Sequence, residues 1–299
     1  MTNNTAIGID LGGTNVRAGL VQEGTVIRSA SARIAELGTE QEVLDVIADL
    51  IEDVWQEGVS SIGIGVPSIV DPRRGIVYDT VNIPSWKEVY LKDILEARFR
   101  IPVWVNNDAN CFALGEKYYG AGAAVAARPA TGAPGAAPHY GTLAGVTLGT
   151  GLGAGIVLDG KLFNGAHCGA GEIGNIIYKD ASLEYYASGQ YFIHTHQQAG
   201  ESLLQLAEAG DAAAKAAFHH FGFHVGQAML MIVYAYDPDI IVLGGSVSAA
   251  FRFFEKGMQA VLSTCVFPHS LKDLRITVSR TKDVALLGAS LLNGERQLL

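Results

Sequence analysis

Ile7-Gly8-Ile9-Asp10-Leu11-Gly12-Gly13-Thr14-Asn15-Val16-Arg17 is the stretch on which the fold turns. An apolar strand ends in an aspartate, two glycines and a threonine follow, and a second apolar strand runs from Val16 to Val21. Strand, tight polar turn, strand is the pattern of a hairpin. Gly12 and Gly13 carry no Cβ, so the N–H groups of the turn can approach a phosphate closely. Thr14 and Asn15 add side-chain donors, and Asp10 is placed to hold a hydrated Mg²⁺. On this stretch alone a second reading stays open: an ordinary hairpin whose glycines supply φ > 0.

A second copy shifts the balance. Gly13-Thr14, Gly19, Val21 and Gly24 align at one constant spacing with Gly149-Thr150, Gly155, Val157 and Gly160, and apolar strands flank both copies. Internal self-similarity is weighed before any fold assignment. Two copies are too few for a solenoid. They point instead to two similar half-molecules facing each other, whose glycine turns clasp one polyphosphate from both sides.

The chain has 299 residues, enough for about two domains. It is 49% hydrophobic and carries a net charge of −9, with no basic run and no aromatic–basic interleaving. That balance argues against nucleic acid as a partner. No apolar run reaches the about 18 residues of a membrane helix, and Met1 to Thr5 lacks the pattern of a signal peptide. Cys111, Cys168 and Cys265 are odd in number and widely spaced, so free thiols and a cytoplasmic location are expected.

Periodicity predicts strands at 6–9, 16–21 and 25–30, a helix from Gln41 to Trp55, and a buried strand from Ser60 to Val66. Strand–helix–strand makes this an α/β domain. Asn82 to Trp86 reads as a loop with an exposed Trp86, or as a packed lid over the sheet edge. A strand from Ile101 to Val105 runs into Asn106-Asn107-Asp108-Ala109-Asn110, and a helix follows to about Tyr119. At such a junction Asp108 is read either as an N-cap or as a catalytic group. Residues 120–139 are rich in Ala, Gly and Pro and read as a flexible loop or hairpin tip. Helices are expected at 184–209, 211–236, 249–264 and from Val284 to about Glu295, with strands at 153–158, 239–243 and 275–279.

Three motifs are decoys. Gly155 to Leu162 nearly matches a Walker A sequence but ends in Leu and spans a hairpin. Gly169 to Gly174 matches a dinucleotide pattern by count, with no apolar strand before it. His220 and His224 sit at i, i+4 with no acidic partner in frame, as packing histidines do.

Asp10-Leu-Gly-Gly-Thr14, Asn107-Asp108, the glycines from Leu148 to Gly174, and Gly244-Gly245 together resemble the ROK family (repressors, open reading frames and sugar kinases) from about residue 6 to 290. The resemblance implies an actin–hexokinase superfold: α/β, with two actin-like (ribonuclease H-like) domains and an interdomain cleft. The expected division is 1–118 plus a C-terminal helix at about 284–299, against 119–283. It also implies roles. Asp108 corresponds to the catalytic base. Asn82, Asn107, Glu172 and Glu184 correspond to sugar ligands, with Asn175 where the family usually has a sugar-touching His. Gly12 to Thr14 and Gly149 to Gly151 correspond to phosphate turns, and Gly244-Gly245 to an adenosine-side turn. The family's cysteine-rich zinc segment has no match in Ile176 to Leu183, so no structural zinc is expected.

The function expected is ATP- and Mg²⁺-dependent phosphorylation of the 6-hydroxyl of a hexose, glucose first. Fructose, mannose, allose and N-acetylhexosamines are alternatives, as is polyphosphate for the donor. The partners expected are a small-molecule sugar and ATP, with no nucleic acid and no membrane, in a homodimer. A repressor needs a DNA-binding segment ahead of the first strand, where only about five residues stand; a non-catalytic sensor would lack Asp108.

Overall fold

A computed structural model of the chain describes residues 5–34, 38–80, 83–124, 141–293 and 297–298. The chain divides into two compact units: residues 1–124, 155–170 and 280–299, and residues 125–154 with 171–279.

In the first unit a five-stranded sheet has the order Thr25–Arg33, Asn15–Gln22, Thr5–Leu11, Val59–Val66, Val103–Asn107. The hairpin strands pair antiparallel, and the last two additions are parallel. Strand alternation explains its two faces. Ile7, Ile9, Ile62 and Ile64 are fully buried in one cluster with Val43, Ile47 and Ile51 of the Glu40–Val54 helix. That helix opens with the capping box of Thr39 and Glu42. Gly8 and Gly63 alternate with these residues in sequence. A Cβ on Gly8 would stand 2.0 Å from the carbonyl oxygen of Leu286, and one on Gly63 1.8 Å from that of Ala289. The glycines let the Val284–Ser290 helix lie directly on the sheet. This helix stops at Ser290, short of the expected Glu295, and residues 294–296 lie outside the described residues. Trp86 is fully buried, not exposed; its loop is the packed alternative.

In the second unit Thr142–Leu148, Ile240–Gly244 and Arg275–Val278 form parallel ladders. The Ala212–Tyr236 helix packs on Phe251–Leu262 with backbones nearly touching, since a Cβ on Gly257 would sit 2.1 Å from the carbonyl oxygen of His219. The single helix expected from 184 to 209 is three: Leu183–Ala187, Gln190–His196 and Gly200–Glu208. The first break falls at Ser188, in extended conformation, and the second at Gln197, which is left-handed at φ 52°.

The internal repeat is real at the backbone. Glu23-Gly24 have φ of 50° and 75°, and Asp159-Gly160 have 53° and 79°. Each is the two-residue turn with both central residues left-handed that a twisted hairpin prefers. Residues 125–140, most of the expected loop, lie outside the described residues.

Candidate active site

Each unit gathers some of the residues singled out in the sequence. In the first unit the turn closes by a bond from the Gly12 N–H to the Asn15 carbonyl at 2.8 Å. Neither Gly12 nor Gly13 has positive φ, which removes the ordinary-hairpin explanation for them. The Asn15 amide donates to Thr14 Oγ1 at 3.1 Å. Asp10 ends its strand half-buried opposite Arg17. Burial pushes its carboxyl above the usual range, and Arg17, which also bonds Asp283, opposes the shift. A single carboxylate beside a hydroxyl-bearing turn fits a Mg²⁺ ion that keeps most of its waters and takes its other ligands from phosphate. Among the described residues no group of three or more His, Cys, Asp or Glu could hold a metal ion.

At the junction of the Val103–Asn107 strand and the Asp108–Tyr119 helix, the N-cap is Asn107, not Asp108. Asn107 Oδ1 accepts from the backbone N–H groups of Ala109 at 2.9 Å and Asn110 at 3.4 Å, and its Nδ2 donates to the Ser68 carbonyl at 3.3 Å. Asp108 is therefore the first helical residue, with Oδ1 accepting from Ala109 N at 2.8 Å. Capping does not explain an aspartate here, since the neighbour does that work.

In the second unit Glu172, Asn175 and Glu184 come together. Asn175 Nδ2 donates to Glu172 Oε2 at 2.9 Å. Burial pushes the Glu172 carboxyl up; the Asn175 bond opposes this and the charge of Glu184 adds to it. Glu184 sits in the first turn of a helix capped by Ser182. Its Oε2 accepts from Leu152 N at 2.8 Å and its Oε1 from Gln190 Nε2 at 3.2 Å. A Cβ on Gly151 would lie 2.5 Å from that same Oε2, while one on Gly149 would meet no described residue within 4 Å. The Gly149–Gly151 turn is clamped by Gly189 N to the Gly149 carbonyl at 2.7 Å and by Ser188 Oγ to the Thr150 carbonyl at 3.0 Å. That clamp is why the expected long helix breaks at Ser188. Gly245, at φ 81°, follows Gly244 at its strand's end; a Cβ on it would stand 2.3 Å from the Leu148 carbonyl oxygen.

Beside this turn lies a cavity of about 590 Å³. Gly149, Thr150 and Ser246 supply polar groups, Ile193, Leu204 and Phe218 an apolar wall, and Glu201 a carboxylate. Cavities of 300–1,000 Å³ are typical small-molecule sites. Sequence reasoning named Gly149 to Gly151 and Gly244-Gly245 but missed Ser188, Gln190 and Glu201. The helix-breaking pair Ser188-Gly189 was the available signal. Asn82 lies outside the described residues. Of the decoys, Gly155 to Leu162 spans a hairpin, and His224 is buried with its Nδ1 3.2 Å from Tyr178 Oη.

The sequence model of the ROK family matches residues 6–296. The chain belongs to the ROK family. It is 26% identical to a glucokinase of Thermotoga maritima, over 97% of each chain. It is 27% identical to a xylose repressor of Caldicellulosiruptor bescii, over 94% of this chain and 75% of the repressor. The structure is similar to that of a ROK family glucokinase from Streptomyces griseus in complex with glucose and AMPPNP, with a TM-score of 0.77 and 26% identity, covering 96% of this chain and 98% of that one. The two-domain α/β fold is thus the actin-like fold of the ROK sugar kinases. Among the described residues no helix is long and apolar enough to cross a membrane.

Proposed function

We propose that this member of the family is an ATP-dependent sugar kinase that phosphorylates the 6-hydroxyl of a hexose, glucose first. One observation carries the reading: the Gly149–Gly151 turn adjoins a nucleoside-sized cavity and also holds the Glu184 carboxylate through Leu152 N. A phosphate seat, a base-and-ribose cavity and a sugar acceptor thereby share one turn. Relatives named glucokinase and the glucose–AMPPNP complex of a structural neighbour support the same assignment.

Asp108 takes the proton of the sugar hydroxyl as that oxygen attacks the γ-phosphorus in line, and ADP leaves with the electron pair of the broken P–O bond. Glu172, Asn175 and Glu184 receive and orient other hydroxyls, with Asn82 and Asn107 assigned to the same sugar. Leaving such a group unpaired once a sugar covers it costs about 1–3 kcal/mol, which lets the site reject a wrong sugar. Gly12, Gly13 and Thr14 join Gly149, Thr150 and Gly151 in holding phosphate, and Gly244-Gly245 flank the adenosine. Asp10 would hold the Mg²⁺, which would neutralise phosphate charge. The reading needs no structural zinc.

A coupled ADP-release assay across hexoses and N-acetylhexosamines, run with ATP and with polyphosphate, tests it. Turnover is expected with ATP and to be fastest with glucose. No turnover with any sugar and either donor would leave a sugar-binding regulator, the role that the repressor relatives' name describes.

A further inference from the structure

Beneath Asp108 the first unit buries four polar side chains that the proposed reaction does not use. Asn106 and Asn164 are fully buried, and Asn110 and Cys168 are each 1% exposed. Asn106 Oδ1 accepts from the backbone N–H of Asn107 at 2.8 Å, from Asn110 Nδ2 at 2.8 Å and from the Cys168 thiol at 3.3 Å. Its Nδ2 donates to Asn164 Oδ1 at 2.9 Å. Asn110 Nδ2 also reaches Cys168 Sγ at 3.6 Å, while Asn110 Oδ1 is buried with no partner among the described residues.

An amide cluster with an unsatisfied buried acceptor is a poor way to gain stability. Aliphatic side chains would fill the space without that penalty. Unlike aliphatic residues, the cluster grips the peptide N–H of Asn107. The Asn107 side chain is gripped in turn by the helix N-terminus and by Ser68. Both grips act on the residue directly before Asp108, where strand becomes helix.

We propose that the Asn106–Asn110–Asn164–Cys168 network positions Asp108 for proton transfer. The four are positioning residues, since the network reaches Asp108 through the Asn107 peptide. The proposal rests on the reading of Asp108 as the base. Misplacing a reacting group by about 1 Å can cost on the order of 10²-fold in rate. Asn106→Ala is therefore expected to lower kcat by about 10- to 100-fold, with a smaller rise in the sugar KM because the peptide it holds is that of Asn107, itself assigned to the sugar. Cys168→Ala removes one donor to the same oxygen and is expected to lower kcat less, and Cys168→Ser, which restores an O–H donor, to recover most of that loss.

The measurements are steady-state kinetics and thermal melting on the full chain. Wild-type kcat in folded Asn106→Ala with a lowered Tm would overturn the proposal, because the cluster would then only hold the fold. If Asn106→Ala does not fold, Asn164→Ala, which removes the partner of Asn106 Nδ2, is judged by the same criterion. Failure of Cys168→Ser to recover the rate lost in Cys168→Ala would remove the thiol from the network. Asp108→Asn run alongside separates the two claims: full activity there refutes the base, whereas loss there with wild-type kcat in Asn106→Ala refutes only the positioning.

Discussion

A methyl group added at Gly149 meets no described residue within 4 Å, whereas one at Gly151 would run into the Glu184 carboxylate at 2.5 Å. Neither glycine has positive φ, so the backbone does not demand glycine at either place. Gly151 is small because Glu184 packs on it; Gly149 is small although no described residue crowds it, and it lines the cavity. Gly149→Val is therefore expected to keep the wild-type Tm and to weaken ATP binding by about 10- to 100-fold, the 1–3 kcal/mol of an overpacked contact falling on the complex alone. Gly151→Val is expected to lower Tm as well. Calorimetry with ATP and thermal melting check both, and normal ATP affinity in Gly149→Val would remove the turn from the phosphate site. Asp108→Asn is expected to reduce kcat by about 10²–10⁴, the range for loss of a general base, with little change in Tm, because Asn107 is the cap. Glu184→Gln should chiefly raise the sugar KM. Steady-state kinetics separates the two, and wild-type kcat in Asp108→Asn would send the search for the base elsewhere. Asp10 stands out in the sequence near the end of an apolar strand, whereas position alone leaves Asp108 an N-cap candidate and the family resemblance gives it its proposed role. The Asn106 network was not legible in the sequence, because Asn164 and Cys168 lie far along the chain and only folding brings them beneath the helix.

The Leu183–Ala187 helix is too short to be stable by itself, yet it carries Glu184. What surrounds it is aromatic: Tyr186 and Tyr191 stand 5.1 and 5.3 Å from the His224 ring, and Tyr185 stacks on His194 at 4.3 Å. Burial pushes His224 down to about 4, with the charges of Lys179 and His220 adding to it. An unfolded imidazole titrates near 6.5. The stabilisation that goes with a neutral His224 is thus complete above about pH 6.5 and is lost as pH falls toward 4, because the unfolded chain binds the proton first. Thermal melts of wild type and His224→Phe from pH 7.5 to 4.5 are expected to show a shallower acid loss in the variant. Parallel curves would mean that His224 is not a source of acid sensitivity. Elements were legible where periodicity ran unbroken, as in Glu40–Val54 and Ala212–Tyr236. The expected 184–209 helix failed because apolar periodicity continues across Ser188, while the Ser188 and Gly189 bonds to the Gly149–Gly151 turn fix the backbone differently there.

Across the whole chain the repeat and the family agree on two halves, but the repeat is not symmetric in chemistry. At the spacing that aligns Gly13 with Gly149, Val146 stands where Asp10 would recur, so the charged strand end belongs to one copy alone. The second unit instead has the cavity with its apolar wall of Ile193, Leu204 and Phe218 and the Glu201 carboxylate. A bare polyphosphate offers nothing to an apolar wall, and a carboxylate in the same cavity repels it. A nucleoside offers a flat apolar base and ribose hydroxyls that can donate to Glu201. Ligands that bind only the folded chain stabilise it by RT ln(1 + [L]/Kd), about 2.7 kcal/mol at a concentration of 100 Kd. AMPPNP with Mg²⁺ is therefore expected to raise Tm by several degrees, while tripolyphosphate at the same concentration raises it much less. Glu201→Ala should shrink the AMPPNP shift and leave that of tripolyphosphate unchanged or larger, since it removes a hydroxyl acceptor and a repelling charge together. Differential scanning calorimetry of both proteins with each ligand makes the comparison. Equal shifts from the two ligands in the wild-type protein would show that the phosphate turns alone hold the donor and that the cavity recognises no nucleoside.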